Sequence, residues 1–122
     1  MAKILIVEDE GFLRGVLTQK LQKEGFETID AVDGEEGVKK VVEGMPDLIL
    51  LDLILPGIDG FEALRQIKAN QNTAAIPVII LPNLGQKDDI EKALKLGATD
   101  FLIKAHFTTG EIISKIQEVL KK

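Results

Sequence analysis

Four ionisable side chains in this sequence lie at the ends of apolar segments. They are Glu8, Asp9, Asp52 and Lys104. Carboxylates placed close together repel one another and raise one another's pKa unless a cation offsets their charge. Mg²⁺ suits such a group, because it prefers oxygen ligands and is often held by one or two carboxylates. The ammonium of Lys104 would pair with an anionic oxygen, such as that of a phosphoryl group on Asp52. If these residues meet, the pattern predicts an acidic pocket that binds Mg²⁺ and can accommodate a phosphoryl group.

The elements that must position these residues follow from hydrophobic periodicity. Apolar runs and helix-period stretches alternate along the chain, which predicts five helices and five strands, the strands over residues 3–7, 27–31, 48–51, 78–81 and 100–103. Three of these strands are nearly unbroken Ile, Leu and Val, as expected where helices cover both faces of a parallel sheet. The alternation predicts an α/β fold with a doubly wound sheet in a three-layer sandwich, and five strands suit the flavodoxin-like order 2-1-3-4-5. Ligand sites in such sheets lie beyond the carboxyl ends of the strands, where the four ionisable residues fall.

Helix boundaries and buried helix faces can also be predicted. Three residue pairs have the spacing of a capping box, in which side chains satisfy free amides at a helix start: Asp33 with Glu36, Asp59 with Glu62, and Thr108 with Glu111. Three glycines are expected in the left-handed conformation at helix ends: Gly25, Gly44 and Gly97. Three apolar stripes are expected to face the core: Leu13, Val16, Leu17 and Leu21; Val38, Val41 and Val42; and Ile112, Ile113, Ile116, Val119 and Leu120.

Length and composition narrow the class of protein. The 122 residues are enough for one domain, 1–122, and 45% apolar with 29% charged residues is the balance of a globular protein. No apolar run is long enough to cross a bilayer, and the amino-terminal residues lack a signal-peptide pattern, so we expect a cytoplasmic protein without membrane contact. Cysteine is absent, which excludes disulfides and thiolate metal sites. The net charge of −5 disfavours direct nucleic-acid binding, which needs clustered Lys and Arg.

Four segments, in this order and spacing, resemble a known family. They are residues 4–10 (ILIVEDE), 46–60 (PDLILLDLILPGIDG), 76–80 (IPVII) and 97–104 (GATDFLIK). With them, the chain resembles the receiver domain of two-component response regulators over essentially its whole length, in particular the chemotaxis-regulator type. The resemblance is compatible with a stand-alone receiver and with one excised from a longer protein.

The resemblance implies a role for each matching residue. Asp52 is similar to the aspartate that takes a phosphoryl group from a histidine kinase or phosphotransfer protein. Glu8 and Asp9 resemble the acidic pair that binds Mg²⁺ together with Asp52 and the backbone carbonyl of Ile54, and Lys104 resembles the lysine that contacts the phosphoryl group. The protein would then be no enzyme in the ordinary sense, but a phosphoacceptor that assists its own phosphorylation and dephosphorylation. A downstream protein is expected at the face of the fourth helix, fifth strand and fifth helix, and the chain is expected to be a monomer or weak dimer.

Several positions depart from the family pattern. Pro82 stands where receivers have a Thr or Ser whose hydroxyl binds the phosphoryl group, and proline offers neither a hydroxyl nor an amide donor. The amide of Asn83 usually faces the phosphoryl group, and its side chain is a candidate replacement donor. Ala105 follows Lys104 where a proline is usual, so a trans peptide bond is expected there. Phe101 occupies the switch aromatic position without a tyrosine hydroxyl.

Other readings of these residues remain open. Pro82 and Ala105 favour a pseudo-receiver, a protein-interaction module that works without phosphorylation. A flavin carrier is disfavoured because the acids after the first strand would repel a phosphate, and a haloacid-dehalogenase-like phosphatase would need an acid at Ile54. Taken alone, Asp9 could be only a helix cap. His106 is the one histidine in the sequence and is interpreted as a loop residue.

Overall fold

The predicted strand and helix alternation is present in the structure, a computed structural model that describes residues 2–104 and 108–121. Within these residues there are five strands and five helices. The strands are β1 (Lys3–Val7), β2 (Glu27–Ala31), β3 (Leu48–Asp52), β4 (Val78–Leu81) and β5 (Asp100–Phe101). The helices are α1 (Gly11–Lys23), α2 (Gly34–Gly44), α3 (Gly60–Ala69), α4 (Lys87–Lys95) and α5 (Thr109–Leu120). All strand pairs are parallel and the order is β2-β1-β3-β4-β5, so the flavodoxin-like prediction is confirmed.

Each strand of the sheet centre sends alternate side chains to opposite faces, and each face has its own core. On one face, Leu5, Ile49 and Ile80 pack with buried residues of α2, α3 and α4. On the other face, Ile6 and Leu50 pack with buried residues of α1 and α5. This two-sided burial explains why the central strands read as continuous apolar runs, and it confirms the three-layer sandwich.

Three helix starts are capped by side chains at the predicted residues. The carboxylates of Asp33 and Asp59 accept the backbone amides of Glu36 (2.7 Å) and Glu62 (2.9 Å), and the hydroxyl of Thr108 accepts an amide in α5 (3.3 Å). The return half of the capping box is not made by Glu62, because its carboxylate binds Arg65 and Gln66 instead. The caps therefore come mainly from the first residue of each pair.

Three details of the predicted elements were wrong or incomplete. Strand β5 ends at Phe101 rather than at residue 103, because Pro82, which follows β4, has no amide N–H with which to continue the hydrogen-bond ladder. Gly44 is the last residue of α2, and Met45 takes the left-handed conformation instead, with φ of 43°. A Cβ at Gly44 would lie 2.7 Å from Cδ1 of Ile29, so the end of that side chain would have to shift to admit one. Val42 is 50% exposed and does not belong to the core stripe.

The remaining glycine predictions hold, since Gly25 and Gly97 have φ values of 91° and 113° at the ends of α1 and α4. Strand β3 extends one residue further than predicted and includes Asp52. Across the described ranges, no helix combines the length and apolarity needed to span a membrane.

Candidate phosphoryl and metal site

The carboxyl ends of β1 and β3 bring the acidic residues together. Val7 is paired with Leu51 in the parallel register, so the next residues of the two strands, Glu8 and Asp52, emerge side by side. Carboxylate oxygens of Glu8, Asp9 and Asp52 all lie within 4.8 Å of one another. Glu8 and Asp52 are buried, with exposures of 0% and 3%, whereas Asp9 is exposed at the rim. The structure therefore assembles one acidic pocket that is open on the side of Asp9.

Lys104 crosses from the end of the β5 segment and contacts both buried carboxylates. Its Nζ donates a hydrogen bond to Asp52 Oδ2 at 2.8 Å and lies 2.8 Å from Glu8 Oε1. The Lys104 backbone amide donates to the Pro82 carbonyl at 2.9 Å. This hydrogen bond holds Lys104 against the residue that follows β4, although β5 itself ends at Phe101. Burial disfavours the ammonium, but the two carboxylates outweigh burial, so the pKa of Lys104 is raised.

Glu8 is fully buried, yet only one of its carboxylate oxygens accepts a hydrogen bond. Its Oε2 accepts the Glu10 amide at 3.0 Å. Its Oε1 is the one buried side-chain oxygen or nitrogen in residues 2–104 and 108–121 without a hydrogen bond, because the nearby Lys104 ammonium is within ion-pair distance but not aligned for one. Burial raises the pKa of Glu8, and the proximity of Asp52 acts in the same direction, while Lys104 and the Glu10 amide oppose it only in part.

This donor set fits a hard divalent cation. Its three carboxylates offer only oxygen atoms, and Lys104 supplies a single positive charge against them. A buried oxygen without a hydrogen bond and a glutamate with a raised pKa both indicate that more positive charge would be accommodated. The predicted pocket residues Glu8, Asp9, Asp52 and Lys104 are thus brought together as the sequence indicated.

The loop after β3 is held tightly against Asp52. The Ile54 amide donates to Asp52 Oδ1 at 3.3 Å, and the Gly60 amide donates to the Leu53 carbonyl at 2.9 Å. A side chain at Gly60 would overlap the carbonyl oxygen of Asp52, so the start of α3 can approach this backbone only with glycine. Ile54 itself projects outward and is 57% exposed. The Ile54 backbone therefore lies next to the Asp52 carboxylate, while its side chain faces away. A metal contact by the Ile54 carbonyl stays a prediction.

Each of three positions with a predicted role in signal transmission, Pro82, Asn83 and Phe101, has identifiable contacts. Pro82 is buried, and its carbonyl accepts the Lys104 amide, so it has a structural role at the rim of the pocket. The Asn83 amide donates to Gln86 Oε1 at 2.6 Å, and Gln86 also donates to Asp89 in α4. Phe101 is half-buried and packs against the core on the α4 side of the sheet. The predictions on Ala105 and His106 lie outside the described residues.

Sequence reasoning missed one residue that contacts the acidic segment. Arg14, in the first turns of α1, donates from Nη1 to the backbone carbonyls of Glu8 (2.9 Å) and Asp9 (3.4 Å). Its Nε lies 3.3 Å from the Asp30 carboxylate at the end of β2. No local pattern signalled these contacts, because they are made to backbone carbonyls and to a side chain on another element.

Comparisons with known proteins agree with the geometry. Residues 4–117 match the family "Response regulator receiver domain". The phosphate regulon transcriptional regulatory protein PhoB of Rhizobium meliloti is 34% identical over 122 residues, which are 100% of this chain and 53% of that protein. The receiver domain of a sensor histidine kinase from Pseudomonas aeruginosa, solved with a magnesium ion coordinated in its active site cleft, superimposes with a TM-score of 0.91 at 30% identity, covering 99% of this chain and 98% of that one.

One relative bears on the expected partners. The "DNA-binding dual master transcriptional regulator RpaA" of Synechocystis is 35% identical over 100% of this chain and 50% of its own length. The chain thus spans about half the length of the curated relatives it matches. The expectation of no direct nucleic-acid contact is therefore not supported.

Phosphoaspartate formation and Mg²⁺ binding are typical of receiver domains. On the match over residues 4–117, the chain belongs to the response regulator receiver domain family.

Proposed function

We propose that this chain is one phosphoaccepting domain that takes a phosphoryl group on Asp52 from a histidine kinase or phosphotransfer protein. The observation that carries the proposal is the position of Lys104, whose ammonium lies 2.8 Å from both Glu8 and Asp52 in a pocket of three carboxylates. A structural ion pair needs one carboxylate for one ammonium. An excess of buried acid around a single lysine instead suits a site that receives further positive charge together with an anionic group.

The transfer step follows from the Asp52 carboxylate. An oxygen of Asp52 attacks the phosphorus atom in line, the bond between phosphorus and the donor nitrogen breaks, and the donor leaves with its electron pair. Lys104 then moves from pairing with the free carboxylate to pairing with a phosphoryl oxygen. Catalysis in this step consists of positioning and charge neutralisation, which the Ile54 amide and Lys104 supply by holding the two oxygens of Asp52.

The proposed metal ligands are the carboxylates of Glu8, Asp9 and Asp52 and the carbonyl of Ile54. Mg²⁺ at this site would offset the carboxylate charges and those of the incoming phosphoryl group. Glu8 and Asp52 are held by neighbouring strands, and Asp9 lies at the exposed rim, where an ion can enter with part of its water shell. Hydrolysis, in which water attacks the phosphorus atom and the bond to the Asp52 oxygen breaks, would release inorganic phosphate and return Asp52 to its free carboxylate.

A downstream protein is proposed to bind at the face of α4, β5 and α5. On the side of β5 and α5, this face has a groove of about 630 Å³ lined by Phe101, Ile103 and Lys115 among others. Asp100 and Lys115 form an ion pair at 3.0 Å beside the groove. The face adjoins Lys104, so a change at Asp52 has a short route to it. We propose a monomer or weak dimer as the resting state.

The test is intact-mass analysis after incubation with acetyl phosphate, with and without Mg²⁺. The wild type should gain one phosphoryl group only when Mg²⁺ is present, and Asp52→Asn should gain none. Asp59→Asn is the matched control, because Asp59 is an aspartate that caps α3 outside the pocket. A phosphoryl adduct that persists in Asp52→Asn, or one that forms equally without Mg²⁺, would contradict the proposal.

Pro82 favours a second candidate, a pseudo-receiver that binds its partner without phosphorylation. The residue is buried at the pocket rim and has no hydroxyl with which to bind a phosphoryl group. A folded wild type that binds Mg²⁺ but gains no phosphoryl group from acetyl phosphate or a kinase would support this alternative.

A further inference from the structure

We propose that Arg14 is a positioning residue for the metal pocket, which it serves by fixing the backbone of Glu8 and Asp9. This inference rests on the proposed Mg²⁺ site. The Nη1 of Arg14 donates to the backbone carbonyls of Glu8 and Asp9, at 2.9 and 3.4 Å. It thereby connects the two successive residues that supply two of the three carboxylates. No other side chain in the described ranges donates to these two carbonyls.

The opposite edge of the Arg14 guanidinium is anchored on β2. Nε lies 3.3 Å from the carboxylate of Asp30, and the Arg14 side chain is only 21% exposed. The planar guanidinium can therefore reach Asp30 and the acidic segment at once, which an ammonium group cannot do with the same geometry. Arg14 links α1, the end of β2 and the segment after β1.

The segment needs this support because it leaves the sheet directly after Glu8. The Glu8 amide still donates to the Ala31 carbonyl at 3.0 Å, but Asp9 is exposed and precedes the start of α1. Mg²⁺ demands near-ideal octahedral geometry, so a small freedom in the direction of either carboxylate lowers affinity. Loss of a partner that orients metal ligands typically costs about 10–100-fold in affinity.

The charge of Arg14 and its positioning role predict opposite effects on Mg²⁺ affinity when the residue is replaced. Its cationic group stands close to a cation site, so on Coulombic grounds its removal would strengthen Mg²⁺ binding. If Arg14 positions the ligands, its removal weakens binding instead. The Arg14→Met and Arg14→Lys pair separates the two, because methionine removes the charge and lysine keeps it without the planar fork.

The experiment is an MgCl₂ titration followed by amide shifts in ¹H–¹⁵N NMR spectra, which report affinity and folding together. Arg14→Lys and Arg14→Met should each bind Mg²⁺ about tenfold more weakly than wild type or worse. Arg65→Lys is the matched control and should bind as wild type, since Arg65 is an exposed arginine paired with Glu62 in α3. Asp30→Asn, which removes the carboxylate that anchors the guanidinium together with one negative charge, should weaken binding by a smaller factor.

Wild-type affinity in Arg14→Lys, or tighter binding in Arg14→Met, would overturn the inference and leave the proposed function intact. If the Arg14 variants do not fold, Asp30→Asn decides, because wild-type affinity in that variant would overturn the proposed anchor. A wild-type protein that shows no Mg²⁺-dependent shifts would overturn the proposed metal site itself, and with it the role of Arg14.

Discussion

The ammonium of Lys104 lies 2.8 Å from Asp52 Oδ2 and is shared with Glu8, although the two acids come from different strands. One cation therefore compensates two buried carboxylates. The stability of the metal-free pocket therefore depends on Lys104. The net charge of the pocket stays negative even with this lysine in place.

Replacing Lys104 with methionine should destabilise the metal-free protein by about 3 kcal/mol, because two buried carboxylates lose their shared cation. Mg²⁺ should restore part of the loss. Urea denaturation with EDTA and with Mg²⁺ measures both effects. Lys115→Met is the control, since its partly exposed pair with a single carboxylate, Asp100, should contribute no more than about 1 kcal/mol. Equal losses in the two variants would contradict the special role of Lys104.

Stability of the metal-free protein should fall with rising pH because of Glu8. Burial raises the pKa of Glu8 above its ordinary value of 4.5, so the folded state binds this proton more tightly than the unfolded state. The stability contribution of Glu8 is therefore complete below about pH 4.5 and is lost as pH rises through the folded-state pKa. Glu8→Gln does not titrate, so it should gain stability relative to wild type as the pH rises above about 4.5 in EDTA. A difference in urea unfolding free energy that does not change with pH would count against this assignment.

Substituting Gly60 with alanine should disturb the phosphoacceptor. A Cβ at this position overlaps the Asp52 carbonyl and lies 2.5 Å from Leu53 Cα, so the backbone must move. We expect a loss of about 1–3 kcal/mol and slower phosphorylation by acetyl phosphate. Gly15→Ala is the matched control, because a Cβ there meets nothing within 4 Å in helix α1 and should stabilise the protein by about 0.5–1 kcal/mol. Wild-type stability and phosphorylation rate in Gly60→Ala would show that the close approach is unimportant.

Replacing Pro82 with threonine should strengthen coupling between Asp52 and helix α4. Threonine restores a hydroxyl at the buried rim position and keeps the carbonyl that accepts the Lys104 amide. Hydrogen exchange over residues 83–95, with and without phosphorylation, measures the coupling. The phosphorylation-induced change in protection should be larger in the variant than in wild type. An unchanged response would mean that the missing hydroxyl does not limit transmission.

The class of fold and the pocket could be predicted because they depend on local patterns. Continuous apolar runs such as Leu48 to Leu51 occur where both faces of a strand are covered, and charged residues that end such runs must lie at one edge of a parallel sheet. The positions of Glu8, Asp9 and Asp52 follow from that reasoning. Element ends were predicted less well, as Gly44 and the end of β5 show, because they depend on backbone conformation and on hydrogen bonds to neighbouring elements.

The sequence by itself determined the strand and helix order, the two buried faces of the sheet and the acids at its carboxyl edge, since periodicity and residue type act over short distances along the chain. Only the tertiary structure decided that Lys104 is shared between Glu8 and Asp52, that Glu8 keeps an oxygen without a hydrogen bond, and that Arg14 holds the acidic segment from α1. These relationships join residues from separate elements, and side-chain direction and burial, which no local pattern encodes, determine whether such groups meet.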